Sequence, residues 1–208
     1  MNWLNELKNH RGIVAILRGI RPDEIEAVAE ELIASGITLI EVPLNSPDPF
    51  DSIARLVELS RGKALVGAGT VLTVEAVERL SELGSQLVIS PNANADVIRR
   101  TRALGMFSMP GVFTATEAFC ALDAGAQVLK FFPADMLGAS GIAGVKAVLP
   151  ADTEIAAVGG VGESSFAEYR AKGIHNFGVG GTLYRPGRKA GEIGQIARGL
   201  VTAFDAAS

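Results

Sequence analysis

Short apolar runs recur at a regular interval along the chain, and more polar stretches separate them. The runs are nearly continuous rather than strictly alternating, which is typical of strands covered on both faces, as in a parallel sheet. The sequence therefore predicts a parallel sheet built from a repeating unit. The predicted strands are 13–18, 38–43, 64–70, 86–91, 106–110, 127–132, 154–160 and 175–181.

The stretches between these runs have the apolar spacing of amphipathic helices. In 25–33, apolar side chains recur every three or four residues, which predicts one buried helix face. Thr114 and Glu117 have the spacing of a capping box, which predicts a helix start. The repeated alternation of strand and helix predicts an α/β fold, a (β/α)8 TIM barrel, with an open doubly wound sheet as the alternative. No linker divides the chain, so we predict a single domain, 1–208, with a short N-terminal helix.

Composition limits the classes of function. The 208 residues are 48% hydrophobic and carry a net charge of −4, without a basic stripe, so we expect no nucleic-acid partner. No apolar run is long enough for a membrane span. The single cysteine, Cys120, cannot form an intrachain disulfide, which favours a cytoplasmic location. We expect Cys120 to be a small buried group on a helix face.

Lys130 interrupts the apolar run 127–132, and alternation places it on one face with Val128 and Phe132. In a (β/α)8 barrel, functional side chains gather at the carboxyl ends of the strands. A lysine buried there has a lowered pKa, because desolvation disfavours the ammonium ion. The neutral amine is a nucleophile that can form a Schiff base with a ketone. This position therefore predicts a class I aldolase that needs no metal or cofactor.

Glu41 interrupts the second predicted strand in the same way. A partly buried carboxylate near a reactive amine is suited to general acid and base catalysis. The alternative is that Glu41 and Lys130 form a buried ion pair that only fixes the barrel, although such pairs are often poor stabilisers.

Polar groups also end other predicted strands. Arg18 follows the first strand, and its planar guanidinium group is suited to binding a carboxylate. The hydroxyl of Thr70, at the end of the third strand, could donate a hydrogen bond to the same carboxylate. Pro91 ends the fourth strand and is included in the predicted substrate site. The alternatives are that Arg18 is a solvated charge and that Thr70 is only a turn residue.

Paired glycines follow the last two predicted strands, at Gly159, Gly160, Gly180 and Gly181, with Thr182 beside the second pair. Such turns let backbone N–H groups face an anion, and the loops after strands seven and eight are the usual phosphate site of this fold. The alternative is that these glycines only permit tight turns.

The two histidines, His10 and His175, precede strands and belong to the opposite end of the barrel. Neither has other metal ligands at a suitable spacing, so we expect no catalytic metal. The stretch 67–72 lacks the third glycine of a dinucleotide fingerprint, so we expect no nicotinamide cofactor.

Five motifs resemble those of the KDPG and KDPGal aldolases, in order and at matching spacing. The motifs are EVPLNS, GAGTVL, ISPN, LKFFPA and AVGGV. The resemblance runs over almost the whole chain and implies cleavage of phosphorylated 2-keto-3-deoxy sugar acids by a homotrimer of (β/α)8 barrels. It implies that Lys130 forms the Schiff base, that Glu41 is the acid and base, that Thr70 binds the substrate carboxylate, and that the glycine turns hold the phosphate.

Three positions are similar to the galactonate type of this family. Asn45 and Val158 stand where the gluconate type usually has arginine and threonine, and Arg18 would contact the substrate carboxylate. This likeness implies cleavage of 2-dehydro-3-deoxy-6-phosphogalactonate to pyruvate and D-glyceraldehyde 3-phosphate. The alternatives are a gluconate-type or dual-epimer aldolase, a phosphate-binding barrel isomerase or synthase, and a sugar-phosphate sensor.

Overall fold

The computed structural model describes residue 7 and residues 9–207. Its strands form one parallel sheet in the order β5-β4-β3-β2-β1-β9-β8-β7-β6. The strands are β1 (Ile13–Ile16), β2 (Leu39–Pro43), β3 (Leu65–Gly69), β4 (Leu87–Ile89), β5 (Phe107–Met109), β6 (Gly111–Val112), β7 (Val128–Phe131), β8 (Glu154–Val158) and β9 (Asn176–Val179).

The fifth predicted strand, 106–110, is observed as β5, and an additional short strand that was not predicted, β6, follows Pro110 and closes the ring. Before Pro110, β5 pairs with β4; after it, β6 pairs with β7. Proline has no N–H to donate to a ladder, so a break there is expected, and its carbonyl accepts a 2.9 Å hydrogen bond from the Lys130 backbone N–H. The two ends of the sheet thus belong to one continuous segment. The barrel prediction is confirmed, and the open doubly wound sheet was the wrong alternative.

Helices alternate with the strands and cover the outside of the barrel. In the described residues they are α1 (Ile25–Ala34), α2 (Pro49–Ser60), α3 (Val74–Glu82), α4 (Ala95–Ala103), α5 (Ala115–Asp123), α6 (Ala134–Lys146), α7 (Phe166–Arg170) and α8 (Ala190–Ala206). None of them is long and apolar enough to cross a membrane. The predicted N-terminal helix falls outside the described residues, apart from Leu7.

Side chains along the strands alternate between the inside of the barrel and its outer wall. Val14, Leu39, Leu65 and Phe107 pack with one another inside the ring. The intervening strand residues pack against the helices in a larger core. Because the apolar interior cluster ends below the carboxyl ends of several strands, the polar side chains at that end face a cavity instead of a packed core.

Helix α5 confirms one prediction and corrects another. The Thr114 hydroxyl accepts from the Glu117 N–H at 3.3 Å, and the Glu117 carboxylate accepts from the Thr114 N–H at 2.8 Å, which completes the predicted capping box. Cys120, however, is exposed. The buried face of α5 is formed by Ala118 and Ala121, and Cys120 lies outside that face.

Candidate active site

A cavity of about 360 Å³ opens at the carboxyl ends of the barrel strands. Every residue predicted for the site lines it: Arg18, Glu41, Thr70, Pro91, Lys130, Val158, Gly159, Gly160, Gly180, Gly181 and Thr182. These residues follow or end different strands, so only a closed ring brings them together. The position agrees with the rule that barrel function lies at this end.

Lys130 lies in β7 and points into the cavity, with 7% of its surface exposed. Burial lowers the pKa of its amine, and the positive charge of Arg18 lowers it further, while the nearby Glu41 charge raises it. Its Nζ atom is 5.1 Å from the centre of the Phe132 ring. The burial is therefore of the kind that increases the fraction of neutral, nucleophilic amine.

Glu41 lies in β2, is 4% exposed, and has a buried Oε2 atom without a hydrogen-bond partner. Burial raises the pKa of this carboxyl to about 7, against the opposing effects of the positive charges of Lys130 and Arg18. A carboxyl with this pKa can both accept and return a proton near neutral pH.

Lys130 and Glu41 face the same cavity and influence each other's charge, but these two side chains do not form a direct ion pair. A structural ion pair requires direct contact between the charged groups to offset the cost of their desolvation. The alternative that Glu41 and Lys130 form a buried ion pair that only fixes the barrel is therefore not favoured.

Arg18 lies just beyond β1, with its guanidinium exposed at the cavity wall. Its Nη1 donates a 2.6 Å hydrogen bond to Oδ1 of Asn45, which lies beyond the end of β2. The arginine is thus held by a neighbouring loop, unlike a freely solvated charge. Its remaining donors can bind a carboxylate.

Thr70 follows β3 with a φ of 55°. This left-handed conformation is unusual for a β-branched residue, and such strained positions are concentrated at functional sites. The strained turn places Thr70 on the cavity wall. A residue needed only to make the turn would more readily be glycine.

The glycine turns lie beside each other on the cavity wall, because they follow the paired strands β8 and β9. Gly159 and Gly160 have φ values of 100° and 68°, which favour glycine. After β9, the Gly180 carbonyl accepts from the N–H groups of Leu183 and Tyr184 at 2.8 and 2.9 Å, which forms a helical turn. The first N–H groups of such a turn have no partner within it and can bind an anion.

Two arginines fix the carbonyl groups of this second turn. Arg185 Nε donates to the Gly181 carbonyl at 2.8 Å. Arg188 Nη1 donates to the carbonyls of Thr182 and Leu183 at 2.8 and 2.7 Å. These contacts bind the carbonyl side of the turn and place positive charge close to the proposed anion site. Sequence reasoning did not identify either residue.

The cavity also has apolar lining residues that the sequence prediction missed, namely Ile16, Phe132, Val161 and Gly178. Phe132 was placed on the same strand face as Lys130 by alternation, so the signal for it was present. The other three had no polar group that would single them out.

A larger cavity, of about 670 Å³, opens at the opposite end of the barrel and includes His10 and His175. His10 Nδ1 is 2.6 Å from the Thr38 hydroxyl. This position agrees with the prediction that both histidines lie away from the site. Among the described residues, no three His, Cys, Asp or Glu side chains are grouped so as to hold a metal ion.

Comparison with known proteins agrees with this geometry. The family model described as KDPG and KHG aldolase matches residues 4–198. The chain belongs to this aldolase family. Family members are carbon–carbon lyases, so the chain is an enzyme of that class.

Relatives and solved structures give a finer comparison. The chain is 55% identical, over 94% of its length and 92% of the relative, to a probable 2-dehydro-3-deoxy-6-phosphogalactonate aldolase of Rhizobium meliloti. It is 44% identical to the 2-dehydro-3-deoxy-6-phosphogalactonate aldolase of Escherichia coli, over 98% of both chains. A solved structure of native KDPGal aldolase superposes with a TM-score of 0.92 at 45% identity, covering 94% of this chain and 95% of the other.

Proposed function

We propose that this aldolase cleaves 2-dehydro-3-deoxy-6-phospho-D-galactonate to pyruvate and D-glyceraldehyde 3-phosphate through a Schiff base on Lys130. One observation carries the proposal: a buried lysine and a buried carboxyl face one cavity without pairing directly. The identity with two phosphogalactonate aldolases supports the choice of substrate.

Bond formation begins at Lys130. Its neutral amine attacks the C2 ketone and forms a carbinolamine, which loses water to give a protonated imine. Glu41 supplies and removes the protons of these steps, for which its pKa of about 7 is suited. The burial of Lys130 favours the uncharged amine that starts the sequence.

Bond cleavage follows on the imine. Glu41 takes the proton of the C4 hydroxyl, the C3–C4 bond breaks, and its electron pair moves through C3 to the imine nitrogen. D-Glyceraldehyde 3-phosphate leaves, and an enamine remains on Lys130. Protonation at C3 and addition of water release pyruvate and restore the free amine.

Binding groups at the ends of several strands around the cavity orient the substrate. Arg18 and Thr70 bind its carboxylate, and Pro91 and Val158 contact its carbon chain. The phosphate binds the turns at Gly159, Gly160, Gly180 and Gly181 and the hydroxyl of Thr182. Support comes from the positions of these residues around one cavity and from the hydrogen-bond donors that they offer.

The decisive experiment is reduction with borohydride in the presence of pyruvate, followed by intact-mass measurement and peptide mapping. We expect one reduced pyruvate on Lys130 and none in Lys130→Met, which should remain folded and lack aldolase turnover. Turnover by Lys130→Met would contradict the mechanism. A barrel isomerase, synthase or sugar-phosphate sensor would form no adduct.

We also propose that residues 1–208 form one domain and that the protein works as a cytoplasmic homotrimer. The family resemblance supports this assembly. The described surface includes large exposed apolar side chains that an interface could cover, namely Leu72, Phe119, Phe132, Met136 and Val148. Light scattering coupled to size exclusion should give the mass of three chains, and a monomer mass would refute the trimer.

A further inference from the structure

Gly69 ends β3 beside the Glu41 side chain. A Cβ atom built on Gly69 would lie 2.8 Å from Glu41 Oε1 and even closer to Glu41 Cδ and Oε2. The carboxyl group therefore occupies the space in which a side chain at position 69 would sit. The backbone of Gly69 is not in the left-handed region, so its conformation alone does not require glycine.

Gly67 provides a contrast on the same strand. Both glycines face the barrel interior, because Gly67 pairs with Glu41 and Gly69 pairs with Pro43. A Cβ on Gly67 would meet the backbone carbonyl of Leu87 and lie 2.6 Å from the Ser85 hydroxyl. Gly67 thus serves close packing of strands, whereas all of the nearest atoms at Gly69 belong to Glu41.

We propose that Gly69 is a positioning residue for Glu41, because it leaves free the volume that seats the Glu41 carboxyl. Any larger side chain at position 69 must move this carboxyl, since the backbone of a central strand cannot retreat without breaking its ladders. The catalytic consequence rests on the proposed function, but the steric relationship does not.

The displaced carboxyl has one direction in which to move. Against β3 it is buried, and its Oε2 atom is shielded from water. The open space beside it is the cavity that also contains Lys130. An alanine at position 69 would therefore push Glu41 toward solvent and Lys130, which lowers the pKa of the carboxyl and removes it from the position in which it can exchange protons with the substrate.

The first test is a double-mutant cycle of Gly69→Ala and Glu41→Asp. Aspartate is shorter by one methylene, so its carboxyl leaves room for the alanine Cβ. We expect Gly69→Ala to lower kcat by about 10- to 100-fold in the Glu41 background, within the range for loss of general acid–base catalysis. In the Glu41→Asp background, the same substitution should lower kcat by less than about threefold.

The folded state is monitored by thermal unfolding, with Gly144→Ala as the matched control, because a Cβ on Gly144 meets nothing within 4 Å. Equal losses of kcat in both backgrounds, or no loss in either, would overturn the proposal. If Gly69→Ala unfolds the protein, refolding by Glu41→Asp would support the steric relationship. Failure to fold in both backgrounds would assign Gly69 to the backbone and also overturn it.

A second readout does not depend on aldolase activity. Carbon-13 NMR of labelled glutamate follows the ionisation of Glu41 in the intact enzyme, with Glu41→Gln assigning the resonance. We expect its titration near pH 7 in the parent protein, as the raised pKa indicates, and at clearly lower pH in Gly69→Ala. An unchanged titration would refute the proposal, even if the parent protein proved inactive on the expected substrate.

Discussion

Arg18 donates a 2.6 Å hydrogen bond to Asn45, which joins the loop after β1 to the loop after β2 at the cavity entrance. The guanidinium is exposed, so without this contact it would sample many rotamers. Asn45 therefore reduces the entropy that Arg18 would lose when it binds a substrate carboxylate.

Asn45→Ala should therefore weaken substrate binding more than the chemical steps. We expect KM to rise about 3- to 10-fold, the usual effect of losing one hydrogen bond, with a smaller change in kcat. Steady-state kinetics with the purified variant give this comparison. A fall in kcat alone, with KM unchanged, would show that Asn45 does not act through Arg18.

Val158 is one of the three positions at which the sequence is similar to the galactonate type. It is buried at the cavity wall, so a hydroxyl introduced there must find a partner. Val158→Thr keeps the shape and should raise the ratio of kcat/KM for the gluconate epimer to that for the galactonate epimer by about tenfold. Val161→Thr, at another buried cavity position, is the matched control and should leave the ratio unchanged.

The raised pKa of Glu41 predicts the pH dependence of activity. Glu41 must be ionised to take the C4 hydroxyl proton, and its pKa is about 7. We therefore expect kcat/KM to fall about tenfold for each pH unit below 7. Measurement of kcat/KM of the parent enzyme against pH should show this decrease. A value of kcat/KM that is constant between pH 5 and 7 would exclude Glu41 as the base.

The ionised form of Glu41 should also lower the free energy of unfolding of the protein. Its pKa is raised from 4.5 to about 7 on folding, so the folded state holds the proton more tightly and its stability falls as pH rises through that interval. Glu41→Gln should then stabilise the fold at pH 8 by up to about 3 kcal/mol, and by little at pH 4. Urea unfolding at both pH values measures this difference.

Glu30→Gln, at an exposed position on α1, provides the control for removing one negative charge. It should change the free energy of unfolding by less than about 0.5 kcal/mol at either pH. If Glu41→Gln gave no more stabilisation than this control at pH 8, the carboxyl would not be desolvated as the structure indicates.

Arg188 offers a test of the second glycine turn. Its guanidinium binds two consecutive carbonyls at the end of that turn. Arg188→Ala should loosen the turn and weaken competitive inhibition by inorganic phosphate by about 5- to 20-fold, with adduct formation from pyruvate retained. The exposed Arg61→Ala is the control. Unchanged phosphate inhibition in Arg188→Ala would separate this turn from the anion site.

Period-two alternation predicted which residues of a strand share one face, but it did not decide which face turns into the barrel. The charged side chains of Lys130 and Glu41 and the rule for parallel barrels led to the prediction that they and the strand-end residues meet at one end, and all of them line the cavity. Ile16 and Gly178 line the same cavity but were not predicted.

The contacts between the site residues were not predictable. The seating of Glu41 on Gly69 depends on the register of two strands, and the Arg18–Asn45 bond depends on two loop conformations, which one sequence does not encode in any short pattern.

Local patterns also explain the errors. The phase of α5 was ambiguous because its sequence is apolar on more than one side, so Cys120 was assigned to the wrong face. The break at Pro110 was not predicted because a proline at the end of an apolar run also fits a strand terminus. The break lies at Pro110 because the segment pairs with β4 before this residue and with β7 after it.

That break has a consequence for how the barrel can open. The strand carrying Lys130 is joined on one side to β8 through four register pairs and on the other to β6 through two. Local unfolding starts where few backbone hydrogen bonds must be broken. Amide hydrogens of β6 and β7 should therefore exchange with solvent before those of β2 and β3. Such local opening would expose the buried amine of Lys130 to water while most of the protein was still folded.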